Sequence, residues 1–378
     1  MMEQIIMKNI KVCHLSKYYK PYRGGLESVV EQLAECSDYD SLVIAYSDVR
    51  CKRTETINGV KVLRSRCQFK VGSAGFSLGY IYDVFKNCSN NLLHVHLPNP
   101  LASFALLIAS FFVKDPLRIV IHWHSDIVKQ KKLLMIYKPL QSWLLKKCSK
   151  IIVTSQAYLD SSVCLSQYRD KCEVIPIGID SIENSVCNAL VNELKKKHQN
   201  KKIIFTLGRH IYYKGFEYLI EAVAHLNNVI VLLGGAGPDT EKYRSLVIKN
   251  NLEDKVYFTG KIPEKHLASY YAAADIFCLP SIERSEAFGV VQLEAMSLGK
   301  PIVSTSIYGS GVSWVNAHGQ SGLICNPKDS LALAESIDQL LNNEHLYEKL
   351  SLGAAARFRK NFTKENMIKE TNLIYQIL

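Results

Sequence analysis

Short apolar runs, many of them β-branched, alternate along the whole chain with longer amphipathic stretches. The runs are 10–15, 41–46, 92–96, 119–122, 151–154 and 173–175, then 203–207, 229–233, 256–258, 276–279 and 301–304. Short buried strands separated by helical patterns predict βαβ units and parallel sheets covered on both faces. The rhythm breaks once, near Pro176–Asp180, where a polar, Lys-rich stretch (183–200) precedes a new strand at Lys202. The expected fold is therefore α/β, with two doubly wound domains over 1–180 and 181–360. Segment 361–378 is expected as a C-terminal helix packing back toward the first domain. Ligands of such sheets bind beyond the carboxyl ends of the strands, so the expected site is the cleft where two such domains face each other. The longest apolar run, 101–113, has 13 residues. That is short of the roughly 20 that span a bilayer, so it predicts a buried helix.

Composition narrows the class. A 378-residue chain with 48% hydrophobic and 21% charged residues can fill two cores and is not disordered. Charge is uneven: residues 1–180 carry 24 Lys/Arg against 15 Asp/Glu, most of the net +11. A basic first half suits an anionic membrane face, a phosphate-bearing acceptor or nucleic acid, or it only aids solubility. No nucleic-acid module is present, which argues against the third partner. The 11 cysteines form no CxxC pair. They read as reduced thiols of a cytoplasmic protein, not as a disulfide framework or zinc site. The N-terminal residues 1–8 lack signal-peptide character. Any membrane attachment is expected to be peripheral. The segment 129–150 offers it a helical face of Leu133, Ile136, Leu140, Trp143 and Leu144 among five lysines, in turns on either side of Pro139; a core-packed helix with a solvated Lys face is the alternative.

Several motifs carry candidate chemistry. Gly24-Gly25 follows the first strand and opens a helix, which lets backbone N–H groups approach an anion; an ordinary turn would look the same. The run at 119–122 ends in His122-Trp123-His124-Ser125-Asp126. With no third ligand nearby in sequence, His124 reads as a hydrogen-bonding site residue and His122 as structural. Gly208-Arg209-His210 and Tyr213-Lys214-Gly215 put two cations at a strand end, suited to a diphosphate. Gly234–Pro238 reads as a structural turn. Asp38-Tyr39-Asp40 is formally a DxD but precedes a strand, whereas a metal-binding DxD follows one. The strongest signal is Pro280–Pro301, which holds Glu286 and Glu294 eight apart, Glu286 just before a predicted helix that runs from near Gly289 to before Gly299 and Glu294 within it. Its free N–H groups at Phe288, Gly289 and Val290 suit a phosphate, and Glu294 is expected more than one turn into the helix.

With these residues on the page, the chain resembles the family-4 retaining glycosyltransferases. The E-x7-E motif is Glu286…Glu294. The Gly24-Gly25 loop, His124, Gly208-Arg209…Lys214-Gly215, Thr259-Gly260 and Tyr270-Tyr271-x-x-x-Asp275 match as well. The resemblance implies a GT-B fold and a nucleotide diphosphate-sugar held mostly by the C-terminal domain. It implies Arg209 and Lys214 on the diphosphate, Glu294 on the ribose, Lys261 and Ile262 around the base, and Glu286, Phe288, Gly289 and Val290 at the donor sugar. Gly24 and Gly25 would lie near the phosphates and His124 near the sugar. It implies transfer without a metal or other cofactor. The form Arg284–Gly289 further resembles bacterial mannosyltransferases that build O-antigen from GDP-mannose, with a polyprenyl-linked or oligosaccharide acceptor. UDP-linked donors, and a nucleotide-sugar epimerase of the same fold, remain alternatives.

Overall fold

The computed structural model describes residues 11–22, 24–48, 52–71, 74–127, 131–198 and 201–378. Met1–Lys8, Ile10 and Lys129, which fall in segments named above, lie outside the described residues. The chain divides into two compact units, Met1–Ile177 with Lys364–Leu378, and Gly178–Thr363. The crossing points are thus Ile177 and Thr363, where the sequence suggested 180 and 360. Ile179 pairs with Thr363 and its N–H donates to the Phe362 carbonyl at 2.9 Å, which fixes both segments at the edge of the second unit.

The first unit is built on an eight-stranded sheet. Its strands are β1 (Lys11–Leu15), β2 (Asp40–Ser47), β3 (Thr54–Ile57), β4 (Val60–Arg66), β7 (Leu92–Leu97), β8 (Arg118–Trp123), β9 (Lys150–Val153) and β10 (Cys172–Val174). The order is β10-β9-β8-β7-β1-β2-β4-β3, and β3 alone runs antiparallel. β5 (Phe69–Val71) and β6 (Ala74–Phe76) form a separate antiparallel pair. The second unit has six parallel strands: β11 (Lys202–Leu207), β12 (Val229–Gly234), β13 (Val256–Gly260), β14 (Ile276–Leu279), β15 (Ile302–Thr305) and β16 (Gly322–Cys325). Their order, β13-β12-β11-β14-β15-β16, is that of a dinucleotide-binding sheet, with the direction of winding reversing between β11 and β14. β12 is buried at all six positions, because helices cover both faces.

The pattern reading missed β3, β4, β5, β6 and β16. β4 reads as charged because Arg64 and Arg66 interrupt it. Yet Arg64 is buried, held by Glu55 at 2.6 Å and by the Lys20 carbonyl at 2.6 Å. β16 is four residues long and opens on Gly322, where a Cβ would stand 1.9 Å from the Ile302 carbonyl oxygen. Two helices also differ from expectation. The apolar run at 101–113 forms the helix Pro100–Ser110, but Phe111 and Phe112 beyond it are exposed, so the run is not wholly buried. Lys131–Lys147 is one continuous helix through Pro139. The carbonyl that Pro139 cannot bond belongs to Met135, a 70% exposed residue, so the missing bond falls on the solvent side of the helix. No helix among the described residues is long and apolar enough to cross a membrane.

Candidate functional site

In the second unit the sequence-predicted residues collect on loops at the carboxyl ends of β11, β12, β13 and β14, around the point where the winding reverses. Helices start on opposite sides of the sheet there, so the loops after β11 and β14 diverge and leave a crevice. After β11 comes the turn Tyr212–Lys214, closed by Gly215 at φ +64°. A Cβ at Gly215 would stand 2.1 Å from the Pro280 carbonyl oxygen. Only glycine lets the two loops approach this closely, and the Ile282 N–H then donates to the Tyr213 carbonyl at 2.9 Å.

That approach brings Lys214 to Glu286. Nζ lies 2.5 Å from Oε2, with both side chains about nine-tenths buried. The Ser281 hydroxyl donates to the same carboxylate oxygen at 3.1 Å. Behind them Glu283 accepts from the hydroxyls of Tyr212 and Ser285, and the Ser310 hydroxyl donates to the Glu286 carbonyl. Arg209, at the start of the same loop just after β11, is exposed. One cation and one carboxylate are thus paired, and a second cation stands in solvent.

Glu294 is half-buried, and its carboxylate accepts from the Tyr271 hydroxyl at 2.5 Å. Burial pushes its pKa up to about 7, against the lowering effect of that hydrogen bond. The helix carrying it is Val291–Ser297, so Glu294 lies in the first turn, not beyond it. Gly289 adopts φ +77° and cannot be helical, which delays the helix by two residues relative to the sequence reading. Phe288 is buried, Gly289 is packed against Gln292 and Leu279, and Val290 is half-buried ahead of the helix. Lys261 is exposed and Ile262 half-buried; Ile262 stands against Gly234. Gly235, at φ +106°, packs onto the Gly208 carbonyl, so the Gly234–Pro238 loop is the close turn the sequence suggested. Tyr271, Ser281, Glu283 and Ser310 were not singled out for the site. Tyr271 falls within a quoted motif and Ser281 and Glu283 within the segment ending at Pro301, but what they bond to becomes visible only in the assembled loops.

In the first unit, Gly24 caps the helix Gly25–Cys36 in an extended conformation, and both glycines are exposed. The carboxylate of Glu27, in the first turn, lies over Gly24 and so covers the helix end that the sequence reading left open to an anion. Asp38 and Asp40 go separate ways. Asp38 accepts from the Asn372 amide at 2.9 Å and Asp40 pairs with Lys11 at 3.0 Å, so the DxD is used in packing. His124 follows β8 and is half-buried; burial lowers its pKa to about 3, keeping the ring neutral. Its neighbours come from segments distant in the chain, whereas the sequence reading looked for a third ligand nearby in sequence. His14 on β1 and His94 and His96 on β7 stand beside His122 and His124. They are far apart in the chain and meet only through strand register.

Two doubly wound units, one bearing two cations and two carboxylates at its reversal point, define a nucleotide-dependent group-transfer enzyme of the GT-B fold. The comparisons agree. Residues 191–357 match the family described as Glycosyl transferases group 1, and residues 23–182 match Glycosyltransferase Family 4. The chain is 30% identical over 375 residues to the O-antigen chain mannosyltransferase C of Escherichia coli, covering 98% of this chain and 99% of that one. It is 29% identical over 363 residues to the D-rhamnosyltransferase WbpZ of Pseudomonas aeruginosa, covering 94% and 92%. Among solved structures, the Anabaena protein HepE in complex with UDP superposes with a TM-score of 0.80 at 21% identity, over 98% of this chain and all of that one. Sucrose-phosphate synthase from Thermosynechococcus elongatus also scores 0.80 at 21% identity, over 97% and 98%. The chain belongs to the family-4, group 1 glycosyltransferases.

Proposed function

We propose that this chain is a retaining hexosyltransferase that moves mannose from GDP-mannose onto a lipid-linked or oligosaccharide acceptor in bacterial surface-polysaccharide (O-antigen) synthesis. The observation that carries the reading is the Lys214–Glu286 pair, assembled by the loops after β11 and β14 beside exposed Arg209. Arg209 and Lys214 take the diphosphate. Glu294 takes the ribose hydroxyls, Lys261 and Ile262 frame the base, and Glu286, Phe288, Gly289 and Val290 hold the sugar. The resemblance assigns Gly24 and Gly25 to the phosphates and His124 to the sugar. The bond from the anomeric carbon to the diphosphate oxygen breaks, and the two cations stabilise the charge that develops there. The acceptor oxygen bonds the anomeric carbon on the same face, and its proton passes to the departing phosphate. No metal is required, because the cations supply the positive charge. A covalent route would need a carboxylate nucleophile on the opposite face. Glu286 is tied to Lys214 and Ser281, which does not support it in that role.

The mannosyl donor rests on the Arg284–Gly289 motif and on the mannosyltransferase relative. A UDP-sugar is the second reading, favoured by the UDP complex of HepE. The setting is the cytoplasmic face of a membrane, with peripheral attachment through the basic first half. Thermal shifts with GDP, UDP, ADP and dTDP test the donor. GDP alone should raise the melting temperature at concentrations above its dissociation constant. Selective stabilisation by UDP replaces the donor assignment, and no stabilisation by any of the four rejects a nucleotide-sugar site.

A further inference from the structure

Five histidines of the first unit meet on one face of its sheet. His14 on β1 is the register partner of His94 on β7, and His96 on β7 is the partner of His122 on β8. Residues two apart along a strand share a face, so His94 joins His96 and His122 joins His124. All but His124 are fully buried.

The rings make two kinds of contact. His94 stacks on His96 and His122 on His124, with centroids 4.4 and 4.3 Å apart and planes 19° and 3° from parallel. His14, His96 and His124 instead meet edge to edge. His14 Nδ1 lies 3.2 Å from His96 Nε2, and His96 Nδ1 lies 3.1 Å from His124 Nε2. The matching centroid separations are 5.5 and 5.4 Å, each the N···N distance plus one ring radius at either end. Both pairs of nitrogens therefore lie on the lines joining the ring centres. An imidazole N–H or lone pair points outward along such a line, so both contacts are straight, in-plane hydrogen bonds.

Burial keeps all three rings neutral, each with one donor and one acceptor nitrogen. The chain can then run in two directions. Donation inward from His124 makes every ring an Nε2–H tautomer and ends on His14 Nε2, which is buried and unpaired among the described residues. Donation outward from His14 makes every ring an Nδ1–H tautomer and leaves that same atom a bare lone pair. Buried backbone N–H groups are orphaned more rarely than acceptors, and the same preference runs this chain outward. It ends at Nδ1 of half-buried His124, which has no hydrogen-bond partner among the described residues.

We infer that His96, held by His14, is a positioning residue that fixes His124 as a neutral Nδ1–H donor, so that the ring offers its proton to a ligand oxygen. This rests on the proposed placement of His124 at the donor sugar, where the oxygen is a sugar hydroxyl. The opposite tautomer would offer that hydroxyl only a lone pair. Which nitrogen of a histidine carries the proton is set by the hydrogen bond made at the other, and His96 makes that bond. The stacked rings hold the planes. His94, itself paired through Nδ1 with the Tyr375 hydroxyl at 2.5 Å, backs His96, and His122 backs His124.

The test uses the full chain with isotope-labelled histidine. Long-range proton–nitrogen NMR spectra show which ring nitrogen carries hydrogen, and His124 is identified by the signal lost in His124→Ala. In the wild type His14, His96 and His124 should all be Nδ1–H tautomers. His124 as Nε2–H overturns the inference, and this result does not depend on any variant folding. His96→Phe keeps a flat ring without a donor. His124 should then leave the Nδ1–H form, and kcat/KM for GDP-mannose should fall about tenfold, as for one lost hydrogen bond. His96→Asn keeps an N–H near the place of Nδ1 and should restore both. A His124 tautomer unmoved by His96→Phe overturns the inference, because any loss of activity would then come from packing. His124→Ala separates this inference from the placement at the sugar. Full kcat/KM in His124→Ala, with the expected tautomers in the wild type, removes His124 from the sugar and leaves the chain standing. Loss in His124→Ala but none in His96→Phe keeps the sugar contact and rejects the positioning role.

Discussion

Glu286→Gln separates binding from turnover. The variant keeps the shape of the side chain and removes only its charge. In the free protein Lys214 would then lie about nine-tenths buried with its 2.5 Å ion partner gone. Breaking a buried pair by removing one member costs about 3–5 kcal/mol, and a hydrogen bond to a charged group about 1.5–3. The residual exposure and the retained amide place the loss at the lower figure, about 2 kcal/mol. For a unit spanning Gly178–Thr363 that is about 4–8 °C in melting temperature. A nucleoside diphosphate restores a negative partner to Lys214. Affinity for free GDP or UDP should therefore stay the same or tighten by up to about tenfold, which is 1.4 kcal/mol. Turnover should fall about a hundredfold, as for loss of one preorganised group where charge develops. Calorimetry with the free nucleotides, denaturation with and without them, and rates at saturating donor measure all three. A tenfold weaker nucleotide affinity with unchanged turnover at saturation would refute the assignment.

Glu294 gives a pH prediction. Its carboxyl sits at about 7 in the fold against an ordinary 4.5, so the folded state holds the proton more tightly than the unfolded chain. The stability it contributes is present below about pH 4.5 and is lost as pH rises to about 7. Wild-type denaturation midpoints should fall over that range more than those of Glu294→Gln; equal slopes would show that Glu294 is not the group. Gly215→Ala must adopt φ +64° and place a Cβ 2.1 Å from the Pro280 oxygen. A loss of about 2–5 kcal/mol in urea denaturation is expected, and one below about 0.5 would show that the loops do not need this approach. With Arg209 and Lys214 on the diphosphate as proposed, transfer should persist in excess EDTA; complete loss restored by Mg2+ would reject this. Anionic vesicles should bind the protein through the Lys131–Lys147 helix, where Met135 and Ile136 are 70% and 79% exposed. The binding should weaken with salt, and equal binding to neutral vesicles would count against it.

The sequence by itself determined the fold class and marked the second unit's candidate residues. Periodicity is local, so buried parallel strands announce themselves as apolar runs, and Glu286, Glu294, Arg209 and Lys214 stand in short motifs. What lay beyond it were features decided between distant segments. Arg64 looks like a strand breaker until Glu55 neutralises it and the Lys20 carbonyl accepts its hydrogen bond. The free end of the helix Gly25–Cys36 looks open until Glu27 folds over Gly24. Pairing of Lys214 with Glu286 depends on Gly215 meeting Pro280, which no local pattern encodes. The histidines are the clearest case. His14, His94, His96, His122 and His124 form a cluster only because parallel register aligns three strands on one face, and register is a property of the assembled sheet.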